Sequence, residues 1–167
     1  KGRWNTLLTA LQQFKDDYDK NQPIWRILPE FAAKYPGYER VGLRDLCQQI
    51  HDTYKSHNVA RMTTEMYLSD MQPAMKPSDA FARMAHDEID RVPIDDLEGR
   101  ITAVLLTPYP PGIPLLIPGE RFNKTIVDYL KFARDFNRKF PGFETDIHGL
   151  VSEKNNGERM YFVDCVK

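Results

Sequence analysis

Apolar residues recur at helical spacing near the start of the chain: Trp4, Leu7, Leu8, Leu11, Phe14 and Tyr18, with Lys15, Asp16 and Asp17 between them. This periodicity predicts an amphipathic helix ending near Asn21, and Gln22-Pro23 then marks a boundary. A short helical segment is expected around Ile24 to Tyr35, with Pro29 in its early part and Pro36-Gly37 stopping it. Leu43, Leu46, Cys47, Ile50 and Tyr54 form the apolar stripe of a further helix that Asn58 closes. Residues 59–70 read as weakly helical. Pro73 and Pro77 bracket a loop, after which Ser78 is expected to cap a helix carrying Phe81, Met84, Ala85 and Ile89. Asp79 is well placed for the positive end of that helix.

The pattern changes after Pro93. ITAVLLT, Ile101 to Thr107, is apolar at every alternate position on both sides, which predicts a strand covered on both faces. PLLI, Pro114 to Ile117, is a second extended apolar run. Asn123 is placed to cap a helix from Lys124 to about Phe140, with Ile126, Tyr129, Leu130, Ala133 and Phe136 on one side and Pro141-Gly142 at its end. A hairpin is expected last: Thr145 to Glu153, then Asn156-Gly157 as a type I′ turn, then Met160 to Val166. Helices first and strands late, without βαβ alternation, predict an α+β fold: several helices followed by a small mixed or antiparallel sheet with a C-terminal hairpin.

Between the two apolar runs lies an unusual corner. Five of the chain's 12 prolines fall between Pro108 and Pro118. Proline fixes φ and removes backbone donors, so this stretch is rigid and loses little entropy when it presents a side chain. Tyr109 in the corner and Glu120 at its exit are then held in place, either for recognition or simply to connect two buried strands. Both readings stand on the sequence alone.

Composition narrows the functional classes. A net charge of -1 gives no basic excess for a phosphate backbone, so no nucleic-acid partner is expected. No apolar run approaches the ~20 residues of a membrane helix, and the charged amino end does not resemble a signal peptide. Two cysteines, Cys47 and Cys165, lack metal spacing, which points to a reducing, cytoplasmic compartment. The chain opens at Lys1-Gly2-Arg3-Trp4 without a Met and is expected to be a piece of something longer.

Candidate chemistry is sparse. His51, His57 and the His86-Asp87-Glu88 run read as solvated helix positions. Glu144, Asp146 and His148 share one face if their segment is a strand. They form either a carboxylate–histidine pair for proton transfer or the polar face of a half-exposed hairpin. A small hydrolase or metal enzyme built on Asp146 and His148 is the corresponding alternative. No HExxH or CxxC supports a metal site, no G-x-S-x-G elbow supplies a nucleophile, and phosphate-binding glycine loops are missing.

ITAVLLTPYPPGIPLLIPGE followed by KFPGFETDIHG, together with the earlier GLRDLCQQIHDTYK and the opening LLTALQQFKDDYD, resembles the carboxy-terminal region of the bacterial Orn/Lys/Arg decarboxylases. These are large pyridoxal-phosphate enzymes of the aspartate aminotransferase fold group. The resemblance implies that residues 1–22 are the last helix of a preceding aminotransferase-type small domain and that residues 23–167 are the decarboxylase C-terminal domain. It implies α-decarboxylation of lysine, arginine or ornithine, with the cofactor as electron sink, in a setting of polyamine supply or acid resistance. The implied partners are the rest of the decarboxylase polypeptide, its dimer mate and a basic amino acid. In that family a lysine directly following a histidine holds the cofactor, and no His-Lys pair occurs here. The resemblance therefore implies no catalytic, cofactor-binding or metal-binding residue in this chain, and pyridoxal phosphate bound by a domain outside it. Tyr109, Glu120, Asp146 and His148 become candidates for the active-site entrance or for its support. The alternative is a free-standing binding or regulatory module of the same ancestry.

Overall fold

A computed structural model describes residues 2–155 and 158–167. The chain forms two compact units, one extending to His57 and one beginning at Asn58. The predicted Asn156-Gly157 turn lies outside the described residues.

The first unit is helical. Helix α1, Gly2–Asp19, follows the predicted stripe, yet none of its residues is buried. Trp4, Leu7, Leu8, Leu11 and Phe14 are all about half exposed or more. Asn21 and Pro23 then turn the chain, and the Asn21 amide bonds to Asp45 through both its side-chain atoms. Helices α2, Ile24–Ile27, and α3, Pro29–Lys34, divide the predicted single segment, because Pro29 supplies no donor to continue the first turn and is instead suited to start the second. Helix α4, Leu43–Ser56, buries Leu43 and Leu46, which join Ile24, Ala32 and Tyr38 in a small core.

The second unit is α+β. Helices α5, Val59–Leu68, and α6, Pro77–Ala85, precede strand β1, Ile89–Pro93. Two predictions for this stretch are corrected. Lys76, not Ser78, occupies the cap position, with Pro77 opening α6, and the Ser78 hydroxyl bonds to the Asp79 carboxylate instead. Proline at the first helical position is preorganised, which moves the start two residues earlier. Ile89 lies on β1 rather than on the helix, and the buried side chain of α6 is Ala80, while Phe81 is exposed.

Ile101 to Thr107 is not one continuous strand. Ile101 and Thr102 make single bridges to Arg121 and Cys165, the chain bends, and Leu106 bridges Leu116. The cause is Thr102: its buried hydroxyl donates to the Val104 carbonyl at 2.7 Å and accepts from the Val104 amide at 3.1 Å. Such local side-chain bonding competes with a ladder. Strand β2 is short, Thr107–Tyr109.

Helix α7, Lys124–Lys139, carries the core. Its face of Ile126, Val127, Tyr129, Leu130, Ala133 and Phe136 is buried, and most of these side chains meet Met66, Leu106, Phe122, Ile147 and Val163 in one cluster. The Asn123 side chain accepts from the Ile126 amide at 2.9 Å, the predicted cap. The same side chain donates to Ser69 Oγ and the Asp70 carbonyl, so one residue starts α7 and ties it to the end of α5.

The expected first hairpin arm is two strands. Strand β3, Asp146–His148, pairs antiparallel with β2, while β4, Val151–Asn155, pairs with β5, Glu158–Val166. Gly149 divides them at φ +95, and a Cβ there would come within 2.3 Å of the Leu105 carbonyl. Only glycine fits that approach. Strand β5 is central in the order β1-β5-β4, and its Cys165 is fully buried.

Two expectations follow. Asn123→Ala should destabilise the protein by about 0.5–2 kcal/mol, read as a lowered urea midpoint; an unchanged midpoint would show that the cap is dispensable. Burial pushes the Cys165 thiol up to about 12 from its ordinary value of 9.0. Between those values the unfolded chain holds fewer protons than the native one, so stability from this group is intact below pH about 9 and falls as pH rises towards 12. Stability measured for Cys165→Ala relative to wild type across that window should lose this slope.

Candidate functional site

The β2–β3 ribbon brings residues about forty positions apart into register: Thr107 opposite His148, Pro108 opposite Ile147, and Tyr109 opposite Asp146. Side chains alternate along each strand, so Thr107, Tyr109, Asp146 and His148 share one face. Ile147, on the other face, is buried in the core cluster and anchors the ribbon. A second anchor lies ahead of β3. The Asn137 amide on α7 donates to the Thr145 carbonyl at 3.2 Å and accepts from the Thr145 N–H at 2.9 Å.

Three of the four predicted site residues meet here. His148 Nε2 lies 3.2 Å from Asp146 Oδ2, and the Tyr109 and His148 rings are 4.5 Å apart between centroids, tilted by 41°. At this distance Nε2 is within reach to donate a hydrogen bond to the carboxylate. Tyr109 is 45% exposed, and the Asp146 and His148 side chains are 74% and 62% exposed. The cluster is thus built on a fixed backbone but open to solvent.

The proline corner sets the Tyr109 ring. The Tyr109–Pro110 and Pro110–Pro111 peptide bonds are cis, and the Gly112 amide closes the turn on the Pro108 carbonyl at 2.8 Å. Gly112 has φ +81, and a Cβ on it would lie 2.8 Å from Tyr109 Cε1. The ring therefore rests against a bare glycine on one side and near the His148 imidazole on another. Tyr67 steadies the corner from α5, its hydroxyl donating to the Ile113 carbonyl at 3.1 Å.

Glu120 is placed differently. Its Oε2 accepts from the Ile117 amide at 2.8 Å, closing the turn that leaves the corner. No hydrogen bond or ion pair joins it to Tyr109, Asp146 or His148 among the described residues. Glu144 and Asp146 line a groove of about 410 Å³ with Arg134, Asn137, Arg159 and Tyr161.

Two contributors were not visible as site residues in the sequence. Thr107 is 4% exposed, and its hydroxyl finds no hydrogen-bond partner among the described residues. An unsatisfied buried hydroxyl costs about 1–3 kcal/mol, so a polar group meeting it from outside the chain would be stabilised. Asn137 is the other, and a polar residue near the end of an amphipathic helix carries no signal of such a role.

The remaining histidines have local roles. His57 and His86 sit at the C-caps of α4 and α6, the latter's Nδ1 2.7 Å from the Ala82 carbonyl, while His51 is exposed on α4. Among the described residues no three His, Cys, Asp or Glu side chains converge to hold a metal ion, and no helix is long and apolar enough to cross a membrane.

The lysines do not fit a covalently held aldehyde cofactor. Such a lysine must be shielded and easily deprotonated. Among the described residues Lys131 is half-buried and every other lysine is exposed. Hydrogen bonds and charge from Asp19 and Asp128 push the Lys15 and Lys124 ammoniums up, away from the free-amine form.

Gly112→Ala should cost about 1–2 kcal/mol from the left-handed backbone alone and move the Tyr109 ring off His148. Urea melts and the ring-current shift of the His148 protons report both effects. Unchanged His148 shifts would contradict the positioning role given to Gly112.

Comparison with known proteins places this geometry in a family. Residues 60–167 match the model described as Orn/Lys/Arg decarboxylase, C-terminal domain. The chain is 47% identical along its whole length to lysine decarboxylase LdcA of Pseudomonas aeruginosa, of which it covers 23%. It is 35% identical, again along its whole length, to the biodegradative arginine decarboxylase of Escherichia coli, covering 22% of that protein. Among solved structures, lysine decarboxylase A from Pseudomonas aeruginosa matches all of the chain with a TM-score of 0.92 at 47% identity, over 23% of that structure. The constitutive lysine decarboxylase of E. coli matches 96% of the chain with a TM-score of 0.87 at 34% identity, over 23% of its own length. The chain thus spans less than a quarter of these relatives, and it belongs to the Orn/Lys/Arg decarboxylase family, in the region of the C-terminal domain.

Proposed function

We propose that this chain is the carboxy-terminal, non-catalytic part of a cytoplasmic pyridoxal-phosphate decarboxylase. The enzyme acts on lysine, arginine or ornithine, releasing carbon dioxide and a diamine or agmatine. The observation that carries this reading is the extent of the similarity: it runs through all of this chain but through only 23% of the lysine decarboxylase it resembles at 47% identity. The lysines described above do not suit the cofactor, so the remainder of the polypeptide holds it.

Two further features support the assignment. The exposed apolar row of α1 is what a helix belonging to a preceding domain would present to that domain, so residues 1–22 are read as its last helix and residues 23–167 as the C-terminal domain. A row of this kind left in water is unfavourable. The rigid corner around Tyr109, with Asp146 and His148 beside it, is read as a lip at the substrate entrance of the assembled enzyme, which includes its dimer mate. The unpaired Cys47 and Cys165 suit a reducing compartment, and an acid-stress or polyamine role follows from a reaction that consumes a proton.

The test uses two proteins. The full-length polypeptide, supplied with pyridoxal phosphate, should release carbon dioxide from at least one of L-lysine, L-arginine and L-ornithine. The 167-residue chain alone should release none, and borohydride should fix no pyridoxyl group on its lysines. A pyridoxyl-lysine found within this chain, or a full-length protein inert towards all three amino acids, would overturn the proposal.

A further inference from the structure

The geometry points to the shared face of Thr107, Tyr109, Asp146 and His148 as a subsite for the side-chain cation of a basic amino acid, or for the same cation on the amine made from it. The inference rests on the decarboxylase reading and goes beyond it by assigning these residues a ligand. Asp146 engages His148 through Oδ2, which leaves Oδ1 open to a donor, and its side chain is 74% exposed. The Tyr109 ring stands across the ribbon from that carboxylate, held on Gly112 and 45% exposed. A carboxylate beside a fixed aromatic ring attracts an ammonium or guanidinium group through charge and through the ring's π face.

Two more observations favour an organic cation. Inside the same face, opposite His148, sits the Thr107 hydroxyl, 4% exposed and without a partner among the described residues. It is a polar group left for a bridging water or a ligand nitrogen to satisfy. The face therefore offers acceptors and an aromatic surface. A bare metal ion is disfavoured, since no three ligating side chains converge among the described residues. The neighbouring cations leave the carboxylate unclaimed: Arg134 is paired with Asp95 and Asp135, and no hydrogen bond joins Arg159 to Asp146 among the described residues.

Asp146 and Tyr109 bind the cation, while Gly112 is a positioning residue acting through the ring. None of them takes part in bond breaking. Their effect is on capture, so it belongs in KM and in the salt dependence of kcat/KM rather than in kcat.

The experiment uses the full-length enzyme with whichever of L-lysine, L-ornithine and L-arginine it turns over, and with the corresponding amine as product inhibitor. Wild type, Asp146→Asn, His148→Gln and Gly112→Ala are compared with Glu98→Gln, an equal change of charge off the ribbon. Asp146→Asn should raise KM about two- to fivefold, flatten the salt dependence of kcat/KM and change kcat less than KM. His148→Gln and Gly112→Ala should move KM the same way, and Glu98→Gln should not. A matching rise in the inhibition constant of the amine assigns the subsite to substrate and product; a rise in KM alone assigns it to substrate, and a rise in the inhibition constant alone to product. An active wild type whose KM, inhibition constant and salt dependence are all unaltered by Asp146→Asn and His148→Gln overturns the subsite and leaves the decarboxylase reading standing. A wild type that decarboxylates none of the three amino acids overturns that reading itself.

Discussion

The candidate face of this chain depends on one constraint, the antiparallel register that sets Tyr109 opposite Asp146 and Thr107 opposite His148. Three paired residues on each side are too few to hold a ribbon by themselves. What holds it is the side facing inward, where Ile147 is packed with Leu106, Leu130 and Val163. Slipping the pairing by one residue would turn Ile147 to solvent and bury charged or aromatic neighbours instead. The hydrophobic core thus decides which polar groups appear together outside, and Asn137 reinforces that choice by clamping both backbone polar atoms of Thr145.

Rigidity of the corner has the same logic. Proline-rich backbone limits where Tyr109 can go, and Gly112 leaves the space its ring occupies. Tyr67 binds the Ile113 carbonyl, and Glu120 binds the Ile117 amide, so both arms of the corner are tied down by side chains. A surface aromatic ring that is held this firmly has little conformational freedom to lose on meeting a ligand.

Sequence made some of this legible. Helix α7 could be read with its buried face and its cap because both signals are local: a 3.6-residue period and an Asn three positions before the amide it accepts from. Tyr109, Asp146 and His148 stood out as residues, and the family resemblance rested on the motifs that contain them. Their meeting could not be read. The period-two pattern from Thr145 onwards predicted one long hairpin arm, whereas Gly149, lying against the Leu105 carbonyl, breaks it and sends its first half to β2. Thr102 bends what looked like a continuous apolar strand, because a hydroxyl bonding to the residue two ahead leaves no trace in hydropathy. Thr107 was hidden for a related reason: whether a threonine hydroxyl is satisfied depends on neighbours from elsewhere in the fold.

The most direct measurement of the account is the through-space contact between the Tyr109 ring and the His148 imidazole, read as cross-relaxation between their ring protons in selectively labelled protein. A centroid separation of 4.5 Å predicts strong cross-peaks that disappear when Tyr109 is replaced by leucine. If His148 instead shows contacts to side chains of β5 and none to Tyr109, the β2–β3 register is wrong and the candidate face it assembles does not exist.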